Sequence, residues 1–292
     1  MSSSDYPFKS NFLDLGGYKY HYINQGQGEP LLFLHGNPTW SYYFRSLMSE
    51  LEGSYRVIAP DHIGCGLSDT PSLEEYDYSL IQRAKDLENL IKHLGVNGKI
   101  TLAVHDWGGM IGMLFAVRNP EMIKRFIIFN TSAFHLPKDK QFPWPLWICR
   151  DTFLGQYLVQ GMNLFVLLAL KWCCKKKKLS AEEKRQYIRP YQNWKQRTAV
   201  YQFVRDIPLK KEDCSYKCID EVENNLDQFR NHPMLICWGM KDFVFDESFL
   251  RKWQEQFPGA ETHKFPDAGH YIIEDEKEEI LSLVKRFLME NP

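Results

Sequence analysis

The stretch Val104-His105-Asp106-Trp107-Gly108-Gly109 decides how this chain is read. Upstream, Lys99-Ile-Thr-Leu-Ala-Val104 is a run of strand formers. Downstream, Met110-Ile-Gly-Met-Leu-Phe-Ala-Val117 has helix character. A carboxylate therefore stands where an apolar strand turns directly into a helix. Two readings fit Asp106 taken alone. Aspartate is a good helix N-cap. A carboxylate on a sharp strand-to-helix turn is also a nucleophile displayed at the end of a sheet. Gly108 and Gly109 permit the close backbone approach that the second reading requires.

Strands and helices alternate on both sides of this turn. Residues 31–34 form a fully apolar strand, 42–51 a helix, and 55–59 a strand ended by Pro60. A helix follows over 80–94, where Ile81, Leu87, Leu90, Ile91 and Leu94 fall close to helical spacing. Strand 99–104, helix 107–118 and strand 125–129 continue the pattern. Such alternation predicts a parallel sheet covered on both faces. It breaks near residue 134, where an aromatic- and lysine-rich stretch reads as several helices. Strands resume at 234–238 and 261–265, each followed by a helix, and helix 278–289 closes the chain. The expected organisation is an α/β core of residues 1–133 and 223–292 with a helical cap over 134–222.

The 292 residues, 44% of them hydrophobic, suffice for one large domain carrying an insertion. The net charge of −1 gives no reason to expect a nucleic-acid partner. The start, Met1-Ser-Ser-Ser-Asp5, is polar and leads into no apolar signal segment. Seven scattered cysteines, without a paired metal-ligand pattern, read as reduced thiols in a cytoplasmic protein. No metal and no cofactor is expected.

Ligands of open parallel sheets bind beyond the carboxyl ends of the strands. Three loops there carry reactive groups: Asp106, then Asp242 after Cys237-Trp-Gly-Met-Lys241, then His270 in Pro266-Asp-Ala-Gly-His270. Nucleophile, acid, histidine is the chain order of the α/β-hydrolase fold. A carboxylate, unlike a serine, is already ionised at neutral pH and attacks carbon without a base. His270 would then activate water, and Asp242 would orient the imidazole. For Asp242 the plain alternative is a turn residue. For the histidine, His35, His62 and His105 are rivals. Asn37, in His35-Gly-Asn-Pro-Thr-Trp40, and Trp107 are neutral donors suited to a halide or a nascent carboxylate. Their plain alternatives are a turn residue and a packing residue. Val104 departs from the small residue often found two before such a nucleophile.

The motifs His35-Gly-Asn-Pro-Thr-Trp-Ser41, Asp61-His-Ile-Gly-Cys-Gly-Leu-Ser-Asp69 and His105-Asp-Trp-Gly-Gly109 resemble those of the haloalkane dehalogenase family. Asn130 stands where one subfamily has a glutamate acid, which leaves that role to Asp242. Segments Leu146-Trp-Ile-Cys-Arg150, Leu158-Val-Gln-Gly-Met-Asn163, Phe203-Val-Arg-Asp-Ile-Pro-Leu209 and 238–246 resemble the third dehalogenase-like subfamily. That group includes the β-lactone decarboxylases of bacterial long-chain olefin synthesis. The likeness runs from about residue 6 to 287.

This resemblance implies conversion of a cis-3,4-dialkyl oxetan-2-one, a β-lactone with two long tails, to a cis-alkene and carbon dioxide or bicarbonate. Asp106 would open the ring, Asn37 and Trp107 would stabilise the departing oxygen, and His270-activated water would cleave an acyl-aspartate. A small apolar substrate needs a tunnel, and Phe142, Trp144, Trp147, Leu158, Met162, Phe165 and Val166 are the expected walls, with core packing as the plain alternative. Assembly with other olefin-pathway enzymes is the partner the resemblance raises. Residues 162–174 and the four lysines that follow read either as a solvated loop or as a membrane-surface contact. The same residues also suit a haloalkane dehalogenase. An epoxide hydrolase would need two cap tyrosines from among Tyr157, Tyr187, Tyr191 and Tyr201. A non-catalytic binding protein would be expected to lack a member of the set of three.

Overall fold

A computed structural model describes residues 6–292, so the polar start read above lies outside the described residues. Strand β3 (Pro30–Leu34), helix α1 (Arg45–Leu51), strand β4 (Arg56–Pro60), helix α2 (Leu80–His93), strand β5 (Ile100–Asp106), helix α3 (Trp107–Arg118) and strand β6 (Ile123–Thr131) follow the expected alternation. A short 3-10 turn, Ser41–Phe44, replaces the first part of the expected helix before α1. Two earlier strands, β1 (Ser10–Asp14) and β2 (Lys19–Gln25), escaped the sequence reading. They form an antiparallel hairpin on β4. β1 lies at the sheet edge, where only alternate side chains are half-buried, so it shows no continuous apolar run.

The cap contributes α4 (Trp144–Asp151), α5 (Leu154–Gln156), α6 (Leu164–Trp172), α7 (Ala181–Ile188) and α8 (Thr198–Arg205). Helix α9 (Tyr216–Glu223) belongs to the core layer instead. It packs on α3, and Arg118 grips Glu221 through two 2.8 Å bonds. The expected boundary at 222 thus falls inside a core helix. Strand β7 (Met234–Gly239), helix α10 (Glu247–Gln256), strand β8 (Glu261–Phe265) and helices α11 (Ile272–Asp275) and α12 (Lys277–Glu290) complete the chain.

The eight strands of the described residues run in the order β1-β2-β4-β3-β5-β6-β7-β8, parallel from β4 to β8. Their side chains alternate between two cores. Leu32, Leu34, Leu102, Val104 and Ile128 face α2, α3 and α10, while Leu31, Phe33, Ala103, Ile127 and Phe129 face α1 and α12. After β4 the chain crosses β3 to lay down β5 on its other side. That reversal opens a crevice at the carboxyl ends of β3 and β5, where residues 35–40 and Asp106 sit.

Asp106 turns the chain at φ 52° and ψ −127°, a conformation that L residues rarely adopt and that costs on the order of 1–3 kcal/mol. Close packing around the turn holds it. A Cβ on Gly108 would stand 1.9 Å from the Leu34 carbonyl oxygen, and one on Gly109 1.9 Å from Thr131 Oγ1. Gly112 accounts for the unusual Val104, because a Cβ there would come within 2.9 Å of Val104 Cγ1. The glycine makes room that a smaller residue at 104 would otherwise leave. Gly108→Ala should lower unfolding stability in urea by about 1–3 kcal/mol or more, since the backbone oxygen it meets is fixed. Gly98→Ala, with nothing within 4 Å of the added methyl, should be near neutral.

Candidate active site

Asp106 is buried at the head of α3 with its carboxylate held from two sides. The Asn37 backbone N–H donates to Oδ1 at 2.6 Å, and the Trp107 backbone N–H also bonds the carboxylate. Thr131 Oγ1 donates to the Asp106 carbonyl and fixes the turn from below. The Asp106 carboxylate accepts nothing from the second or third residue of α3, the N–H groups that an N-cap serves. The N-cap reading of this residue therefore fails as an account of its carboxylate.

His270 directs Nε2 toward Asp106 Oδ2 at 3.6 Å, and its Nδ1 donates to Asp242 Oδ2 at 2.7 Å. Asp242 is fixed in turn by the Val244 N–H (2.8 Å) and by Asn130 Nδ2 (3.0 Å). Asn130 is itself locked by accepting the Gly239 N–H at 2.8 Å. The residue noted in the sequence only as a missing acid is thus the clamp that orients Asp242. The three reactive groups meet in space as well as in chain order.

The rival histidines have other work. His105 Nε2 donates to the His270 carbonyl oxygen at 2.9 Å and props that loop. Its ring lies 4.5 Å from that of His270, and burial pushes its titration well down, so it stays neutral. His35 donates to Gly36 and accepts from the His62 N–H, and burial pushes it down to about 4.

Charge balance sets the protonation of the site. Burial pushes the Asp106 carboxyl up, while the His270 charge and the two backbone N–H groups pull it back only in part. Burial alone would lower His270. The Asp242 carboxylate, through charge and hydrogen bond, and then the Asp106 carboxylate outweigh it and hold the imidazole above its ordinary value.

Asp275 couples the site to the cap. It accepts the Gly269 N–H beside His270 and the N–H groups of Lys175, Lys176 and Lys177. Tyr271 N–H donates to the Cys173 carbonyl at 2.9 Å. Asn37 makes a second tie, its Nδ2 donating to the Val200 carbonyl of α8 at 3.0 Å. One N–H of that amide remains, its Oδ1 is buried without a partner, and Trp107 lines the cavity beside it.

Above Asp106 lies an apolar cavity of about 150 Å³, walled by Asn37, Trp107, His270, core residues such as Met110, Phe134 and Phe245, and the cap. Helix α6 lines it with Leu164, Phe165, Leu168, Ala169 and Trp172, one helical face. Of the expected tunnel residues, Phe142 and Phe165 reach this wall. The other five do not. Trp144, Trp147 and Met162 point outward and are exposed, Leu158 is half-buried away from the cavity, and Val166 packs on the opposite face of α6. Residues 164–170 are all apolar, so the sequence did not show which face of α6 meets the cavity. The described residues contain no cluster of three or more His, Cys, Asp or Glu able to hold a metal.

A strained aspartate elbow, a late-loop histidine and an acid after β7 on a mostly parallel sheet define the class: the chain belongs to the α/β-hydrolase fold family, whose family model matches residues 29–277. Within it the chain is haloalkane dehalogenase-like. It superposes on the haloalkane dehalogenase DatA of Agrobacterium tumefaciens C58 with a TM-score of 0.85 at 25% identity, covering 97% of both chains. It is 50% identical to the cis-3-alkyl-4-alkyloxetan-2-one decarboxylase of Shewanella oneidensis, over 97% of this chain and 89% of that one. Its identity to the enzyme of the same name from Xanthomonas campestris pv. campestris is 40%, over the full length of both.

In an NMR titration, His270 should change protonation above the ordinary histidine value of about 6.5. Asp242→Asn removes the largest charge that favours the imidazolium, so the midpoint should fall. A wild-type midpoint below 6.5 would contradict this balance.

Proposed function

We propose that this protein decarboxylates cis-3-alkyl-4-alkyloxetan-2-ones, β-lactones with two alkyl tails, to cis-alkenes. The observation that carries the reading is the full-length identity of 50% and 40% to two decarboxylases of that name. The site supports it: a held carboxylate under an apolar cavity matches a substrate with one small polar ring and long apolar tails.

The chemistry follows from where the backbone donors point. In acyl transfer on this fold, N–H groups at the elbow and the β3 loop stabilise a tetrahedral oxyanion. Here the N–H groups of Asn37 and Trp107 are occupied by Asp106 itself. Attack is therefore assigned to the saturated ring carbon that bears the ring oxygen. The C–O bond breaks with inversion, an aspartyl ester forms, and the freed carboxylate is met by the remaining Asn37 amide N–H and the Trp107 indole. That carboxylate then loses carbon dioxide. The electron pair of its C–C bond becomes the alkene π bond, and the ester C–O pair returns to Asp106. Inversion followed by anti departure preserves the cis geometry. Atoms balance without water, so the water-cleavage step implied by the resemblance is not required. His270, cationic between Asp106 and Asp242, offsets the charge that returns to Asp106.

A cis-β-lactone with long tails should yield alkene, while 1-bromoalkanes should yield little bromide. Fast bromide release with no alkene would instead make this a dehalogenase. Asp106→Ala should abolish alkene formation. His270→Ala should slow the departure of Asp106, so that intact mass spectrometry finds an adduct heavier by one whole lactone. Turnover in H2(18)O should leave Asp106 unlabelled; label in its carboxylate would restore the hydrolytic route.

A further inference from the structure

The cap displays an apolar surface that the reaction does not use. Nine of the thirteen large exposed apolar side chains among the described residues fall between Trp144 and Trp194. Phe153 is 90% exposed, Trp144 72% and Tyr157 60%. Single exposed apolar residues are ordinary, but a concentration of aromatics on one insertion marks a binding surface.

The same segment is strongly basic. Residues 144–200 carry eleven lysines and arginines against three acids, a net of +8 in a chain whose total is −1. Some of this charge is paired within the fold, as Lys176 is with Glu276 and Arg150 with Asp151 and Asp213. Lys171, Lys175, Lys178 and Lys184 are exposed and make no ion pair among the described residues. Exposed tryptophans together with unpaired lysines are the composition of a surface that lies on anionic lipid.

Part of this surface meets the mouth of the cavity. Trp172 and Phe243 both line the cavity and are exposed at its rim. Pro143 and Pro145 line it on either side of Trp144, which points outward. No helix of the described residues is long and apolar enough to cross a membrane, so the contact is with the surface.

We infer that the cap is a membrane-docking face that settles on anionic lipid and opens the cavity mouth toward the bilayer, from which a two-tailed apolar substrate enters. The route of the substrate rests on the lactone reading. The docking does not, and it is measured without turnover.

The test is flotation of the full chain with unilamellar vesicles. The protein should float with phosphatidylglycerol–phosphatidylethanolamine vesicles and stay at the bottom with pure phosphatidylcholine. Raising the salt to about 0.5 M should weaken binding by screening the lysines. Lys171→Glu with Lys178→Glu should weaken it by at least about ten-fold. Trp144→Ser with Phe153→Ser should do the same through lost insertion. Neither pair touches the cavity, so alkene formation from detergent-dispersed lactone should be unchanged in both. Wild-type protein that fails to float with the anionic vesicles would overturn the proposal. So would light scattering that shows a dimer dissolved by the Trp144/Phe153 pair, because the patch would then be a contact between proteins.

Discussion

The site depends on one constrained residue. Asp106 sits at positive φ at the end of a fully buried strand, and a free chain would abandon that conformation. Three contacts from three elements prevent it. The Asn37 N–H comes from the loop after β3, the Thr131 hydroxyl from the end of β6, and the bare α-carbons of Gly108 and Gly109 let α3 press against both. The strain places the carboxylate outside the helix it precedes, so its charge faces the cavity rather than serving as a cap. The order of strands explains why these partners are within reach, since β3 and β6 flank β5 on its two sides.

Electrostatics builds on that geometry. Two ionised carboxylates around one neutral imidazole would put two negative charges in a buried site, and a cationic imidazole offsets one of them. Burial opposes every charge in the set, and the opposition is met by hydrogen bonds: two backbone N–H groups for Asp106, and the Val244 N–H and the Asn130 amide for Asp242. Neutral donors suit this work. A lysine or arginine at position 37 or 130 would pair with the carboxylates and quench them.

Much of this was legible in the sequence, and the limits have physical causes. Strands such as 31–34 and 126–129 are buried on both faces and so read as unbroken apolar runs. The β1 strand, Ser10-Asn-Phe-Leu-Asp14, buries little and gave no such signal. Asp106, Asp242 and His270 were legible because chain order and loop position select them from many other acids and histidines. Asn130 was seen as a vacancy and not as a clamp, because its role exists only once β7 lies beside β6. The cavity wall was legible least. A hydrophobic side chain in a cap helix packs, lines a cavity or faces solvent according to a rotation of the helix that composition does not encode. Val166 and Phe165, adjacent in sequence, take two of these fates.

The clamp at Asp275 bears on how the cap can move. One carboxylate gathers the N–H before His270 and three successive N–H groups of the loop after α6. Lifting that side of the cap like a lid would pull those donors away and release the histidine loop at the same moment. A catalyst built this way cannot open wide and stay primed. A substrate that entered with this clamp intact would have to pass the rim as it stands, and so would the departing product. Selection among substrates then falls on the cross-section of what can slide, whatever its length.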